Sequence, residues 1–89
     1  MDNIKVSVIV PVFNNSEYIG TALDSIISQD FSGFEIIVID DGSSDNSLEL
    51  ITDKLKDIDI PNKIIHQENQ GVSAARNKGI EASSGDYLV

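Results

Sequence analysis

The sequence contains no cysteine, one histidine and only six basic residues among its 89 residues. The absence of cysteine excludes a disulfide framework, a thiolate metal site and a thiol nucleophile. Fifteen acidic residues give a formal net charge of −9, so a nucleic acid partner is not expected. No apolar run approaches the roughly 20 residues of a membrane helix, and the amino terminus lacks the basic segment of a signal peptide. These features predict a cytoplasmic protein without a transmembrane segment.

The most informative stretch that is present runs from Phe34 to Ser43, with the sequence FEIIVIDDGS. The β-branched residues 36–39 are unbroken by charge, which predicts a central parallel strand buried on both faces. Asp40 and Asp41 follow at its carboxyl end, the edge at which open α/β sheets bind ligands. The residues alone also allow a plainer interpretation, in which both aspartates are solvated in an Asx-type turn.

Strand and helix patterns alternate along the whole chain. Strands are predicted at residues 4–10, 34–39, 63–66 and 87–89, and helices at about residues 18–28, 45–57 and 72–82. Pro11 is predicted to end the first strand, and the sequence places Pro61 and Asn62 in a turn. This β-α-β-α-β-α-β order predicts a parallel sheet with helices on its faces, in which the loops at residues 11–16, 40–44 and 67–71 converge on one edge. The short last strand indicates the front part of a larger fold.

Polar residues at the loops predict the helix ends. Ser16 is expected to cap the first helix, and Ser43 or Ser44 to cap the second. Gly42 can adopt the tight turn that the second loop requires. Gly85 is suited to a left-handed cap at the end of the third helix.

Several side chains at the predicted edge could contact a nucleotide. Asp41 can accept a hydrogen bond from the imide N–H of uracil, and Phe13 can pack against a planar ring. Arg76 could reach a diphosphate, with Asn77 beside it. Each has an ordinary alternative, namely a hydrophobic contact for Phe13, an ion pair for Arg76 and a surface amide for Asn77. His66 has no second histidine or cysteine with which to share a metal, so we expect a strand-end or surface residue.

Five motifs, taken in order, carry a resemblance to a known family. They are P-x-F-N at 11–14, S-x-x-x-Q at 25–29, DDGS at 40–43, G-x-x-x-A-R-N at 71–77 and GDYL at 85–88. Together they resemble the amino-terminal, nucleotide-binding half of family 2 glycosyltransferases with the GT-A fold. The resemblance implies a Rossmann-like α/β/α fold with a mostly parallel sheet and the strand order 3-2-1-4.

The resemblance also implies a function. Members of the family transfer a sugar from a nucleotide-diphosphate donor, most often a UDP-sugar, to a hydroxyl of a saccharide or lipid-linked acceptor, usually with inversion. Mn²⁺ or Mg²⁺ is expected on the diphosphate, and the setting is surface polysaccharide or glycoconjugate synthesis, peripherally at the inner membrane face. Carried over by position, the implied nucleotide-binding residues are Pro11, Phe13, Glu17, Asp41 and Arg76, with Asn14, Asp40, Gly42, Ser43, Gly71 and Asn77 in supporting positions.

In the family, a D-x-D type metal motif and the catalytic base follow the strand that begins at GDYL. We therefore expect residues 1–89 to be the nucleotide-sugar-binding part of a glycosyltransferase domain, with its catalytic residues and metal ligands beyond Val89 and no activity alone. An exposed last strand is expected to pair with another copy. Two other classes stay open. One is a non-catalytic nucleotide-binding or regulatory module, and the other is a receiver-like phospho-acceptor, whose expected arrangement of aspartate, acidic pair and lysine on separate strand ends the chain does not offer.

Overall fold

The computed structural model describes residues 6–29 and 33–88, with side chains up to residue 85. The strands are β1 (Val6–Val12), β2 (Phe34–Asp41), β3 (Asn62–Gln67) and β4 (Asp86–Leu88), and the helices are α1 (Ile19–Ile27), α2 (Ser47–Leu55) and α3 (Val72–Ala82). The strands form one sheet in the order β3-β2-β1-β4, and every neighbouring pair is parallel. The predicted α/β class and the strand order 3-2-1-4 are confirmed.

Strand β2 lies at the centre of the fold, and all eight of its residues are buried. Its side chains alternate between the two faces, as in any strand. Ile36 and Val38 pack with the residues of α1 and α2, whereas Ile37 and Ile39 pack with α3. Helices therefore cover both faces of the sheet, which explains why β2 is a continuous apolar run and not an alternating one.

The first strand continues through Pro11 to Val12, so the prediction that Pro11 ends it is wrong. Pro11 lies opposite Ile39 of β2, whereas β4 pairs with β1 only from Val6 to Val8. A proline is compatible with a strand where no partner requires its missing N–H donor. As a result, Pro11 and Val12 reach the carboxyl edge on a strand and not on a loop.

The start of the first helix and the cap after the third helix also differ from the prediction. Helix α1 follows Tyr18, which makes no side-chain capping bond, so Ser16 is not its cap. The first turn is instead stabilised by the Asn15 carbonyl, which accepts the N–H of Ile19 at 2.9 Å. Gly85 does not adopt a left-handed conformation, and helix α3 ends at Ala82 with Ser83 as its cap residue.

The second helix begins later than predicted, because the serines after β2 do not cap it. Its N-cap residue is Asn46 and neither Ser43 nor Ser44, and α2 starts at Ser47. The N–H of Ser47 donates to Asp45 Oδ1 at 2.9 Å, so an aspartate supplies the acceptor that the serines were expected to provide.

The remaining differences concern boundaries. Helix α2 ends at Leu55 instead of residue 57, and Asn62 belongs to β3 and not to the preceding turn. The predicted strand residues 4, 5 and 89 and the loop residues 30–32 lie outside the described residues. Within the described ranges, none of the helices is long and apolar enough to cross a membrane.

Candidate functional site

Asp41 is the last residue of β2 and only 3% exposed, so the interpretation of a solvated aspartate is wrong. Its Oδ1 accepts hydrogen bonds from Gln67 Nε2 and from the N–H of Gln70, both at 2.8 Å. Its Oδ2 accepts the N–H of Gly71 at 2.9 Å. The Gln67 bond first, and then the backbone bonds, lower the pKa of Asp41 below its ordinary value, although burial opposes them. Asp41 is therefore ionised at neutral pH and can act only as an acceptor.

An open cleft of about 350 Å³ lies beside this carboxylate. We call it the Asp41 cleft, and it is lined by Pro11, Val12, Phe13, Asp41, Asn69, Gly71, Val72 and Ala75. Asp41 is the one charged residue in this lining, and Phe13 and Val72 are both more than half exposed. A carboxylate offers about four acceptor positions, and the described contacts of Asp41 occupy three. The cleft is thus lined mostly by apolar residues and by one carboxylate, whose Oδ2 accepts a single hydrogen bond from the described residues.

Gly42 allows the loop after β3 to approach the loop after β2. It has a φ of +77°, and a Cβ at this position would lie 2.7 Å from the backbone nitrogen of Asn69. Asn69 Nδ2 in turn donates to the carbonyl of Asp41 at 3.2 Å. A side chain at position 42 would displace the loop that carries the donors to Asp41, which is why glycine is needed at this position.

Asn14 ties the loop after β1 to the loop after β2. It adopts a left-handed conformation with a φ of +47°. Its Oδ1 accepts the N–H groups of Ser44 at 2.7 Å and Asp45 at 3.3 Å. Its own N–H donates to Ser43 Oγ at 2.9 Å. These bonds hold Phe13 and the end of β2 in a fixed relation.

Asp45 extends this connection between the two loops. Its carboxylate accepts the N–H of Ser47 and also the N–H of Ser16, at 3.2 Å. Hydrogen bonds from Ser47 and then Ser16 lower the pKa of Asp45 to about 2, although partial desolvation opposes them. Asp45 is therefore exposed and charged at neutral pH.

Asp40 lies on the opposite face of β2 from Asp41 and is fully buried. Its Oδ2 lies 2.7 Å from His66 Nδ1 on the neighbouring strand, and its Oδ1 has no hydrogen-bond partner in the described part of the chain. The side chain of His66 is 55% exposed, in agreement with the prediction of a strand-end or surface residue. The acidic pair is thus divided between two environments, and only Asp41 faces the cleft.

The structure brings together only part of the predicted site. Pro11, Phe13, Asp41 and Gly71 line the Asp41 cleft, and Asn14, Gly42 and Ser43 hold its loops. Asp40 lies on the opposite face of β2, and three other predicted residues do not line the cleft either: Glu17, Arg76 and Asn77.

Each of these three residues has a different environment. Glu17 is exposed in the loop before α1, and Asn77 lies on another face of α3, beside Lys78 and Glu81. Arg76 is half-buried, and its Nε has no hydrogen-bond partner among residues 6–29 and 33–85. Arg76 also makes no ion pair there, so the ion-pair alternative is not seen for it.

Three contributors to the site were missed from the sequence, namely Gln67, Asn69 and the backbone of Gln70. The strand register explains their role, because Gln67 lies directly opposite Asp41 in the β2–β3 pair. Two parallel strands that end at the same level place the first residues of the second loop beside the last residue of the first strand. The sequence analysis ended these strands at residues 39 and 66, whereas the structure extends them to Asp41 and Gln67, so this pairing required the structure.

The described residues do not form a metal site. No group of three or more histidine, aspartate or glutamate side chains in these ranges could hold an ion. The Mn²⁺ or Mg²⁺ that the resemblance implies therefore has no fitting set of ligands in this part of the chain.

The known sequences that this chain resembles are glycosyltransferases. The model of the family described as "Glycosyl transferase family 2" matches residues 7–89. EpsH of Bacillus subtilis (strain 168) is 44% identical over 89 residues, which cover all of this chain and 26% of EpsH. Glycosyltransferase GlyG of Streptococcus pneumoniae serotype 4 is 40% identical over 85 residues, or 94% of this chain and 28% of GlyG. The chain spans about a quarter of the length of these relatives.

Two solved structures share the fold. Staphylococcus aureus TarS 1–349 in complex with UDP-GlcNAc has a TM-score of 0.85 and 34% identity, over 96% of this chain and 25% of TarS 1–349. The mannosyltransferase PcManGT from Pyrobaculum calidifontis, in complex with GDP-Man and Mn²⁺, also has a TM-score of 0.85, with 26% identity over 91% of this chain and 25% of that protein.

Proposed function

Because this chain belongs to glycosyl transferase family 2 and has the GT-A fold, we propose that its Asp41 cleft binds the base of a nucleotide-diphosphate sugar. The observation that carries the proposal is the remaining acceptor position on Asp41 in a cleft with otherwise uncharged walls. A base needs apolar surface for its faces and a directed polar group for its edge, and the cleft offers both. Phe13, which is half exposed, provides a flat apolar surface at the cleft.

The charge of Asp41 limits the bases that fit. An ionised carboxylate only accepts, so it matches the imide N–H of uracil or the N1–H of guanine and repels the ring nitrogen of cytosine or adenine at the same place. The neighbouring TarS structure contains UDP-GlcNAc, and the PcManGT structure contains GDP-Man. A cleft of about 350 Å³ has room for either base, so the choice rests on TarS, which is 34% identical to this chain against 26% for PcManGT. Our proposal is therefore a uridine nucleotide.

The diphosphate lies outside the cleft in this proposal. Arg76 carries a permanent charge and forms no ion pair with a described residue, so we assign its guanidinium group to the diphosphate. We assign Glu17 and Asn77 to the surroundings of the nucleotide only through the family resemblance. In this proposal, a longer protein that contains this chain, called the longer protein below, would be an inverting hexosyltransferase on the cytoplasmic side of the membrane. It would act on a saccharide or lipid-linked acceptor in polysaccharide synthesis.

The test is a calorimetric titration of the chain with UDP, with and without Mn²⁺. Asp41→Asn should raise the Kd about 10- to 100-fold, the effect expected for losing a hydrogen bond to a charged group. Asp53→Asn is the matched control, because it removes the same charge from an exposed position on α2 and should leave the Kd unchanged. CDP should bind more weakly than UDP to the unmodified chain.

Two outcomes would contradict the proposal: equal UDP affinity of Asp41→Asn, or CDP binding as tightly as UDP. UDP binding without any sugar transfer by the longer protein would instead favour the alternative of a nucleotide-binding module.

Strand β4 lies at an edge of the described sheet, and we expect this edge to pair with a second copy. Light scattering should then show a mass that rises with concentration, whereas a constant monomer mass would exclude such pairing.

A further inference from the structure

A buried carboxylate lies at the opposite end of the sheet from the Asp41 cleft. Glu35, the second residue of β2, is only 2% exposed. Its Oε2 accepts the hydroxyl of Ser7 at 2.6 Å and the N–H of Ser84 at 2.7 Å. The Ser7 hydroxyl oxygen accepts the N–H of Gly85 at 3.1 Å. This Glu35 network therefore joins β1, β2 and the two residues that directly precede β4.

Strand β4 needs such a connection because its own pairing is short. Only Asp86, Tyr87 and Leu88 pair with β1, opposite residues 6–8. A slip of one residue exchanges the two faces of a strand, so register must be strongly specified wherever a sheet is covered. Three paired residues specify it weakly. The N–H of Ser84 is held by Glu35 and the N–H of Gly85 by Ser7, and these two bonds fix the residue at which β4 starts.

The chemistry of Glu35 also indicates a role in geometry. Burying a carboxylate is costly even when it accepts hydrogen bonds, and an apolar side chain of the same size often gives equal or greater stability. A buried glutamate that is used to bind two separate segments is better explained by the specific arrangement that it enforces than by stability.

We propose that Glu35 is a positioning residue that sets the register of β4 through Ser7, Ser84 and Gly85. Strand β4 runs parallel to β1, whose carboxyl end carries Pro11 and Phe13. If the start of β4 is fixed, the residues that reach the carboxyl edge of the sheet along this strand are fixed too. These residues would lie beside the Asp41 cleft. This last consequence rests on the proposed nucleotide site, whereas the control of register does not.

The experiment compares Glu35→Met, Glu35→Gln and Ser7→Ala by NMR. Glu35→Met keeps a long side chain but removes the acceptors, so it should fold while the amides of Ser84 and Gly85 exchange about tenfold faster, the factor expected for one lost hydrogen bond. Cross-strand NOEs between Ser7 and Tyr87 should weaken or split into two sets. Glu35→Gln retains an acceptor oxygen and should therefore preserve one register. If Glu35 only filled space, Glu35→Gln and Glu35→Met would behave alike.

The outcomes separate this proposal from the proposed function. Unchanged NOEs and unchanged exchange in a folded Glu35→Met variant would overturn it. If Glu35→Met does not fold, Ser7→Ala decides, because it removes both the donor to Glu35 and the acceptor of Gly85. The Kd for UDP should be the same in all folded variants, since the Asp41 cleft lies at the other end of the sheet. In the longer protein, Glu35→Met should lower kcat and leave the KM for the donor unchanged. A chain that fails to bind UDP would refute the proposed function and leave the register test intact.

Discussion

Replacing Gly79 by alanine tests the packing of α3 on the sheet. Gly79 is buried in the interior of α3, and a Cβ there would lie inside van der Waals contact with Ile9 Cγ2 and 2.7 Å from Ile39 Cδ1. Ile9 and Ile39 are themselves at most 1% exposed, so neither has free space to move into. The helix must therefore move away from β1 and β2 to accept one methyl group.

Two opposing effects set the magnitude. Alanine is favoured over glycine in a helix by up to about 1 kcal/mol. Overpacking a filled core costs about 1–3 kcal/mol. The middle of the overpacking range less the helix gain leaves about 1 kcal/mol, so we expect Gly79→Ala to lower the free energy of unfolding by about that amount. Gly20 in α1 is the matched control, since its Cβ would meet only Lys54 Cε at an ordinary 3.8 Å. Gly20→Ala should raise the free energy of unfolding by about 0.5–1 kcal/mol.

Urea unfolding of the three proteins is the assay. The denaturation midpoint should fall for Gly79→Ala and rise for Gly20→Ala, at a constant m-value. Gly79→Ala should also bind UDP more weakly, because Val72 and Ala75 of the displaced helix line the Asp41 cleft. A Gly79→Ala variant as stable as the unmodified chain, with the expected gain in Gly20→Ala, would show that this contact between α3 and the sheet is not tight.

Three further predictions concern the loops and the surface. Gly42→Ala should lower the free energy of unfolding by about 2–4 kcal/mol, since a left-handed alanine costs about 1–2 kcal/mol and its Cβ would also press on Asn69. A loss below about 1 kcal/mol in urea unfolding would contradict this. The pKa of Asp45 is lowered to about 2, so its ionised form stabilises the fold above about pH 4 and this contribution is lost as the pH falls toward 2. The difference in urea midpoint between the unmodified chain and Asp45→Asn should therefore shrink between pH 5 and about pH 2.5. A constant difference would show that the hydrogen bonds to the Asp45 carboxylate do not stabilise its ionised form. Lys54→Met should change the free energy of unfolding by less than about 1 kcal/mol, because the Lys54–Asp24 ion pair of 2.6 Å is 38% and 60% exposed at its two side chains; a loss above about 2 kcal/mol by thermal or urea unfolding would be unexpected.

The central part of the fold was predictable from the sequence because its signal is strong and local. Residues 36–39 are β-branched and uncharged, and only a strand covered on both faces suits them. The alternation of strands and helices then required a parallel sheet. The order of the strands is a different matter, since it depends on contacts distant in sequence, and it was expected only from the family resemblance.

The helix starts were not predictable, because tertiary contacts compete with local capping. Ser43 has the chemistry of a helix cap, but its hydroxyl accepts the N–H of Asn14 from another loop. Ser16 lies in a loop that its backbone N–H ties to Asp45, and α1 starts three residues later, at Ile19. Capping rules consider only the residues next to the helix, so they cannot detect these partners.

The division of the two aspartates shows the same limit at the site. The sequence places both carboxylates at the end of β2, and strand alternation alone predicts that they face opposite sides. Which of them faces a cleft depends on where α3 lies, and the partner of Asp40 depends on the register of β3. The proposed role of Asp41 came from the resemblance, whereas its three donors required the structure.

The connection between Asn14 and the loop after β2 has a consequence for how this domain can diversify. Two loops joined by hydrogen bonds from the backbone of each to a side chain of the other cannot change length independently, since an added residue in either would misplace these donors and acceptors. Insertions, purification tags or foreign epitopes are better accommodated by the segment at residues 56–61, which joins α2 to β3 at the amino-terminal end of the sheet. Variation in length among descendants of this sequence should therefore accumulate there, leaving the carboxyl edge constant in outline.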